Sequence, residues 1–532
     1  MTGDEVRAAL KAGHEIALVD VREEDPFAQE HPLWAAQIAF GRLELEAPWR
    51  LPRRDVTVVV MDDGEGLAAP AAERLRALGW RDVRRLEGGL TGWKAGGGEV
   101  FRDVNVPSKA FGELVEHEAG TPSLPAPEVK ALLDRGANVV VLDARRFDEY
   151  RTMSIPQGVS VPGAELLLRA RDLAPDPATL VIVNCAGRTR SLIGTQTLVN
   201  GGLPNRVAAL RNGTIGWLLA GQVLDHGQQR RFGPASEAAR AAARASAQDL
   251  ARRAGAKRIT PAELAAWEAD PTRTLYRWDV RTPEEYEAGH RAGFGSAPGG
   301  QLVQETDVFC AVRGARVVLA DGADADRGVR APVTAHWLAQ MGWDVAWLDD
   351  ETPAARGETG PWQPPRLTPP GVPTIAPDAL APLLPDPGTA LLDVGSARAF
   401  GQRHLPHAWW ALRSQLAAAV AALPQPVQRF VVTCSDGTLA PWAAADLQRL
   451  TDRPVQVLAG GNAAWFAQGR PAHEGFERAL SPRIDRYRRP YEGTSAPREA
   501  MQAYLDWEFG LVAQLGRDGT HGFRVLKPAR AG

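Results

Sequence analysis

The sequence predicts an α/β protein made of four tandem copies of one module. Each copy is expected to hold a central parallel sheet flanked by helices, and a C-terminal helical tail follows. Three observations carry this. A short strand ending in aspartate recurs at Asp20, Asp143, Asp279 and Asp393. A second apolar strand ends at Asp62, Cys185, Asp321 and Cys434, and the separations from the first aspartate are 42, 42, 42 and 41 residues. The strands are continuously apolar and alternate with helical patterns, as in a parallel sheet covered on both faces. The register places modules at 1–105, 122–232, 258–360 and 374–473, with a joining helix at 233–257 and a tail at 474–532.

The elements follow in order within each unit. Helical patterns at 67–78, 191–200, 329–341 and 440–450 come directly after the second strand. A third short strand closes each unit and, in three of the four, runs into a Gly/Trp turn ending at Trp93, Trp217 or Trp465. The third unit ends instead at Trp347–Asp350 without that turn. Residues 95–125 contain Gly96, Gly97, Gly98 and three prolines, and read as a linker with a short helical piece. The proline-rich stretch 361–373 reads as a stiff spacer. Residues 497–515, with Trp507 and Phe509, are amphipathic and are expected to pack back on the body or across a dimer.

Composition narrows the function classes. A chain of 532 residues is too long for one core. Its net charge of -3 gives no electrostatic case for nucleic acid or an anionic membrane. Three cysteines cannot build a disulfide framework, which points to a reducing, cytoplasmic setting. The first ten residues form a charged amphipathic start without a signal-peptide core, and no apolar run approaches the roughly 18 residues of a membrane span.

Cys185 carries the chemistry. It ends an apolar strand and opens a short loop of Ala186, Gly187, Arg188, Thr189 and Arg190, after which Ser191 leads into a helix. Inward-facing N–H groups, a helix N-terminus and two guanidinium groups are expected to favour thiolate and to bind small oxyanions. A buried inert cysteine is the bland alternative, and it leaves the Gly/Arg loop unexplained. Asp143 and Arg145 lie at the neighbouring strand end, able to support the loop or touch substrate. Similar pairs recur in the other modules, which favours a structural ion pair.

The strand ends Asp20–Arg22, Asp143–Arg145 and Asp279–Arg281, the segment 284–290 ending in His290, the Cys185 loop and the Gly/Trp turns resemble the rhodanese family of sulfurtransferases. The resemblance covers about residues 1–475. It implies parallel-sheet modules, of which the one with the loop cysteine carries sulfur as a persulfide. Cys185 to Arg190 is Cys-x4-Arg, similar to the sulfurtransferase loop rather than to the Cys-x5-Arg of related phosphatases and arsenate reductases. Cys185 is thereby identified as the nucleophile, with Ala186, Gly187, Arg188, Thr189, Arg190 and Ser191 around the persulfide. Arg188 and Arg190 are expected to stabilise a departing anion. The implied partners are a small anionic sulfur donor such as thiosulfate and a cyanide or thiol acceptor, with no cofactor. A persulfide carrier feeding partner proteins and a phosphatase-like enzyme are the competing readings. Oligomeric state is left open.

The other three loops read as degenerate. Asp62 and Asp321 replace the thiol in acidic loops, and the aspartates after Asp321 lack the closing glutamate of a calcium loop. Cys434 stands at the right position but has Asp436 beside it and no arginine, which is expected to raise its pKa. It is a second thiol suited at most to accepting sulfur from a persulfide. Cys310 falls at no loop position and reads as structural. His404 and His407 have no third ligand near them in sequence, so no metal is expected.

Overall fold

A computed structural model of the chain describes residues 1–526, apart from Glu351, Gln425 and Thr494. The last six residues of the predicted tail lie outside the described residues. Among the described residues four separate sheets are present, and every pairing between their strands is parallel. The α/β architecture is therefore the one the repeat implied.

One strand order recurs. In the second module it runs Ser123–Leu124, Val207–Leu210, Leu180–Asn184, Val139–Asp143, Val159–Ser160. The third and fourth modules repeat it with five strands, and the first repeats it with four, lacking the outer strand. Central strands such as Thr57–Met61, Leu180–Asn184, Arg316–Ala320 and Arg429–Thr433 are buried beyond their first residue, which is why their sequences are apolar without alternation. Asp143 pairs in register with Asn184, so the aspartate strand ends beside the loop that begins at Cys185. The third module keeps this sheet although its closing turn is lost.

The joints differ from the expectation in one place. Residues 95–125 are not a linker with a short helical piece. They hold a helix of 14 residues, Val106–Ala119, whose first ten residues are all buried. Phe111 of this helix packs in one core with residues of the first and third modules, while its acidic side chains reach the second. The sequence hid it because Gly96, Gly97, Gly98 and Pro107 suggested a break, whereas proline is well placed in a helix's first turn. The joining helix is Glu237–Ala254, capped by the Ser236 side chain. Its Ala243, Ala247 and Leu250 share a core with the second module and with Val329 and Val333 of the third.

The tail packs back on the body as two helices, Arg498–Phe509 and Leu511–Asp518. Met501, Tyr504 and Leu505 pack on Ile215, a residue of the second module's closing helix Gly213–Leu219. Among the described residues, no helix is long and apolar enough to cross a membrane.

Candidate functional site

The loop after Cys185 is fixed first by its own module. Cys185 O and Ala186 O accept backbone N–H bonds from Thr214 and Ile215, at 3.0 and 3.1 Å. This close approach requires glycine at position 213, where φ is +52° and a Cβ would lie 2.3 Å from Cys185 O. The Gly/Trp turn of the repeat is thus the floor of the thiol loop. The helix Thr189–Asn200 starts within the loop, and the backbone N–H of Ser191 in its first turn interacts with the Cys185 sulfur.

Cys185 is buried, with 2% of its surface exposed. Its thiol donates to Ser191 Oγ at 3.3 Å, and the Ser191 hydroxyl donates to Arg188 O at 2.8 Å. Burial pushes the thiol up from its ordinary value, and Arg190 and the Ser191 hydrogen bonds only partly offset this. The expected downward shift is therefore corrected: in a site this enclosed, the loss of water outweighs one nearby guanidinium.

The two loop arginines diverge. Arg190 makes a bidentate pair with Glu149, at 2.6 and 2.9 Å. Burial alone would raise Glu149, but Arg190 brings it down to about 2. Arg188 turns the other way, to Glu113 at 2.7 and 2.8 Å, to Glu116 and to Asn212 Oδ1 at 3.0 Å. Both loop arginines are thus paired with carboxylates, Arg188 with those of the helix Val106–Ala119 and Arg190 with one of its own module. Arg188 and Thr189 are buried.

Asp143 and Arg145 form a buried bidentate pair at 2.9 and 2.7 Å, and Arg145 also donates to Met153 O. Asp20 with Arg22 and Asp279 with Arg281 repeat this geometry down to the carbonyl contact. The recurrence assigns the pair to loop architecture. The fourth module has Gly395 in place of the arginine, and its Asp393 is held by Asn462 Nδ2 at 2.7 Å.

The four loops differ in what fills them. Asp62 turns its carboxylate inward and accepts from Leu67 N and Ala68 N at 2.6 and 2.9 Å. Asp321 accepts from Gly328 N, Val329 N and Ala331 N. In the fourth module Asp436 accepts from Thr438, and its Oδ1 lies 3.8 Å from the Cys434 sulfur. Burial raises the Cys434 thiol, Leu439 and Ala440 N–H groups oppose this, and Asp436 and Asp393 raise it further. Only in the Cys185 loop does no carboxylate of the loop accept from its N–H groups, among the described residues. Cys310 is buried beside Trp278, and burial pushes it up to about 12. All three cysteines are unpaired. No group of three or more His, Cys, Asp or Glu among the described residues is arranged to hold a metal.

Residues outside the module complete the site. Beyond Glu113 and Glu116, the tail lays Tyr504 and Glu508 over the loop at Gly187. A Cβ there would lie 3.2 Å from Tyr504 Cε1 and 3.4 Å from Glu508 Oε2. Tyr504 donates to Glu508 Oε1 at 2.7 Å, while Glu508 Oε2 is buried without a hydrogen-bond partner. Burial, reinforced by Glu113, pushes Glu508 up to about 8. Glu149 had a signal in the sequence, since Glu285 holds the same repeat position and pairs with Arg330. Glu113 and Glu508 had none, because nothing in their spacing ties them to the loop.

Four parallel modules with a strand–loop–helix thiol site define a recognisable class. Sequence comparison matches the rhodanese-like domain at residues 2–96, 125–220 and 376–468, and the chain belongs to the rhodanese family of sulfurtransferases. The third module lies outside these matches yet has the same strand order. The whole chain is similar to the crystal structure of thiosulfate sulfurtransferase from Pseudomonas aeruginosa, with 60% identity, 99% of each chain covered and a TM-score of 0.97. A thiosulfate sulfurtransferase of Azotobacter vinelandii is 28% identical over 210 residues, 35% of this chain and 75% of that protein. The uncharacterized protein slr1261 of Synechocystis is 32% identical over 99 residues, which are 18% of this chain and 54% of that relative.

Proposed function

We propose that the chain is a thiosulfate sulfurtransferase with one competent site, in the second module. The observation that carries this is the contrast among loops: Cys185 alone joins a thiol to a cradle not already filled by the loop's own carboxylate. The similarity to thiosulfate sulfurtransferase over 99% of the chain supports the choice of donor.

In this reading the Cys185 thiolate attacks the outer sulfur of thiosulfate. A Cys185–sulfur bond forms, the sulfur–sulfur bond of the donor breaks, and its electron pair leaves with sulfite. The terminal persulfide sulfur takes the negative charge and is held by N–H groups of residues 186–191. Arg190 offsets the charge of the departing anion, and Arg188 positions the loop. Cyanide or a thiol then takes the terminal sulfur and returns Cys185 to thiolate. The module divisions at 1–105, 122–232, 258–360 and 374–473 and a cytoplasmic location belong to the same reading.

Mass spectrometry after exposure to thiosulfate tests it. One added sulfur is expected on the Cys185 peptide, and Cys185→Ser is expected to lose thiocyanate formation. Retained turnover in that variant overturns the assignment. A second reading, a persulfide carrier for partner proteins, is opposed by the 2% exposure of Cys185, because a partner's thiol has to reach the outer sulfur. It predicts a single round of loading where the enzyme gives many turnovers.

A further inference from the structure

The Cys185 loop is covered, and its three counterparts are open. After the residue at the thiol position, the first module exposes residues 63–66 and the fourth exposes Ser435 and Asp436. The third leaves residues 322–326 partly or fully exposed. In the second, Ala186, Gly187, Arg188 and Thr189 are all buried. Loops ordinarily run over the surface, so this burial marks an added cover.

The cover is the tail helix Arg498–Phe509. Tyr504 and Glu508, both buried, sit directly on the loop. A Cβ at Gly187 would already lie 3.2 Å from Tyr504 Cε1 and 3.4 Å from Glu508 Oε2. Glu508 is close enough for its charge to act on the Cys185 thiol. Phe509 extends the same roof, its ring centre 4.3 Å from the guanidinium carbon of Arg188.

Other residues fix the helix in place. Arg498 donates to Leu218 O and Leu219 O at 3.1 and 2.6 Å. Met501 and Leu505 pack on Ile215, and Leu511 and Leu515 of the next helix enter the core of the first and third modules. None of these anchors passes through Tyr504 or Glu508, so truncating the two opens the roof while the helix stays docked.

We propose that Tyr504 and Glu508 determine donor specificity by bulk. Under this roof Cys185 takes sulfur from a donor whose remainder is no larger than a sulfonate group, and donors bearing a bulky organic group are shut out. This rests on the assignment of Cys185 as the nucleophile. Thiosulfonates, in which an organic group replaces one oxygen of thiosulfate, follow the same course. The Cys185 thiolate attacks their outer sulfur, a sulfur–sulfur bond to Cys185 forms, the donor's own sulfur–sulfur bond breaks, and its electron pair leaves with the sulfinate. No oxidant or reductant is consumed.

Donor kinetics with cyanide as acceptor test the proposal, using methanethiosulfonate as the small donor and benzenethiosulfonate as the bulky one. The quantity read is kcat/KM for the bulky donor divided by that for the small one. The double substitution Tyr504→Ala, Glu508→Ala is expected to raise this ratio about tenfold, the low end of what a pocket discriminates over hydrocarbon bulk. Both donors are monoanions, so a changed charge at residue 508 or a loss of folded protein cancels in the ratio. A ratio that stays at the native value overturns the proposal.

Alkylation reads the roof without sulfur transfer and decides the matter if the variant turns over neither donor. Native Cys185 is expected to take iodoacetamide and to exclude 5-iodoacetamidofluorescein, and the double variant to take both. Cys310, buried in the core of the first and third modules, reports unfolding in the same sample. Fluorescein label on Cys185 of the variant, with none on Cys310, upholds the roof even if Cys185 transfers no sulfur. Label on Cys185 no faster than on Cys310, or equal uptake by native protein and variant, overturns it.

Discussion

Arg188, three residues past the site thiol, is bonded twice by Glu113 of the helix Val106–Ala119, at 2.7 and 2.8 Å. The loop of the second module is thus held in shape by a helix that lies between modules. Both side chains are buried, with 3% and 4% of their surfaces exposed. Removing one member of such a pair leaves the other charged and unsolvated, which costs about 3–5 kcal/mol. Glu116 remains as a partly exposed substitute, so Glu113→Ala is expected to lose about 3 kcal/mol in denaturant unfolding. Thiocyanate formation should fall with it, because the loop N–H groups lose their fixed direction. Glu113→Gln, which keeps the shape and one of the two acceptor oxygens, should recover part of both.

Asp321 does for the third module what a bound anion does elsewhere. Its carboxylate accepts from three consecutive-turn N–H groups, those of Gly328, Val329 and Ala331. Asp321→Ala removes that cap and is expected to cost about 2 kcal/mol of stability. Turnover with thiosulfate and cyanide should be unchanged, since the second module supplies its own loop. A loss of turnover larger than the loss of folded protein would assign the third module a part in the reaction.

The same comparison of loops shows what a sequence reveals and what it hides. The repeat is legible because each module needs an aspartate at one strand end and a loop at the next, and these recur at near-constant spacing. The Asp143–Arg145 pair is legible as architecture for the same reason. Glu113 and Glu508 are illegible because they reach the loop through packing between distant segments, and no period links residue 113 or 508 to residue 187. The helix Val106–Ala119 was masked by its flanking glycines and Pro107, which act as local breakers in sequence but only mark the helix start in space.

Cys434 tests how much the loop matters beyond the thiol itself. Its sulfur is buried like Cys185, but its near neighbours are Asp436 and Asp393 where Cys185 has Arg190. Cys434→Ser is therefore expected to leave turnover with thiosulfate and cyanide at the native level. Peptide mass spectrometry should find no sulfur added at Cys434 when thiosulfate is the donor. Sulfur on both cysteines would mean that the arginine-free loop accepts a dianion, or that sulfur passes between modules.

Glu508 gives the site a pH dependence of its own. Its carboxyl faces Tyr504 on its own helix, Lys109 and Glu113 on the helix Val106–Ala119, and Arg188 in the loop. Burial and Glu113 hold it protonated up to about 8, while an unfolded glutamate ionises near 4.5. The folded state therefore binds the extra proton between these values, and its stability falls as pH rises from about 4.5 toward 8. Above 8 the residue is ionised in both states and the dependence ends. Ionisation also brings a negative charge to the loop at Gly187 and opposes thiolate at Cys185. Glu508→Gln removes the titration while keeping the hydrogen bond from Tyr504 Oη. Its stability relative to the native protein should rise between pH 5 and 8, and its turnover should decline less on the alkaline side. Unfolding curves at the two pH values that differ by the same amount in both proteins would show that Glu508 does not carry the proton.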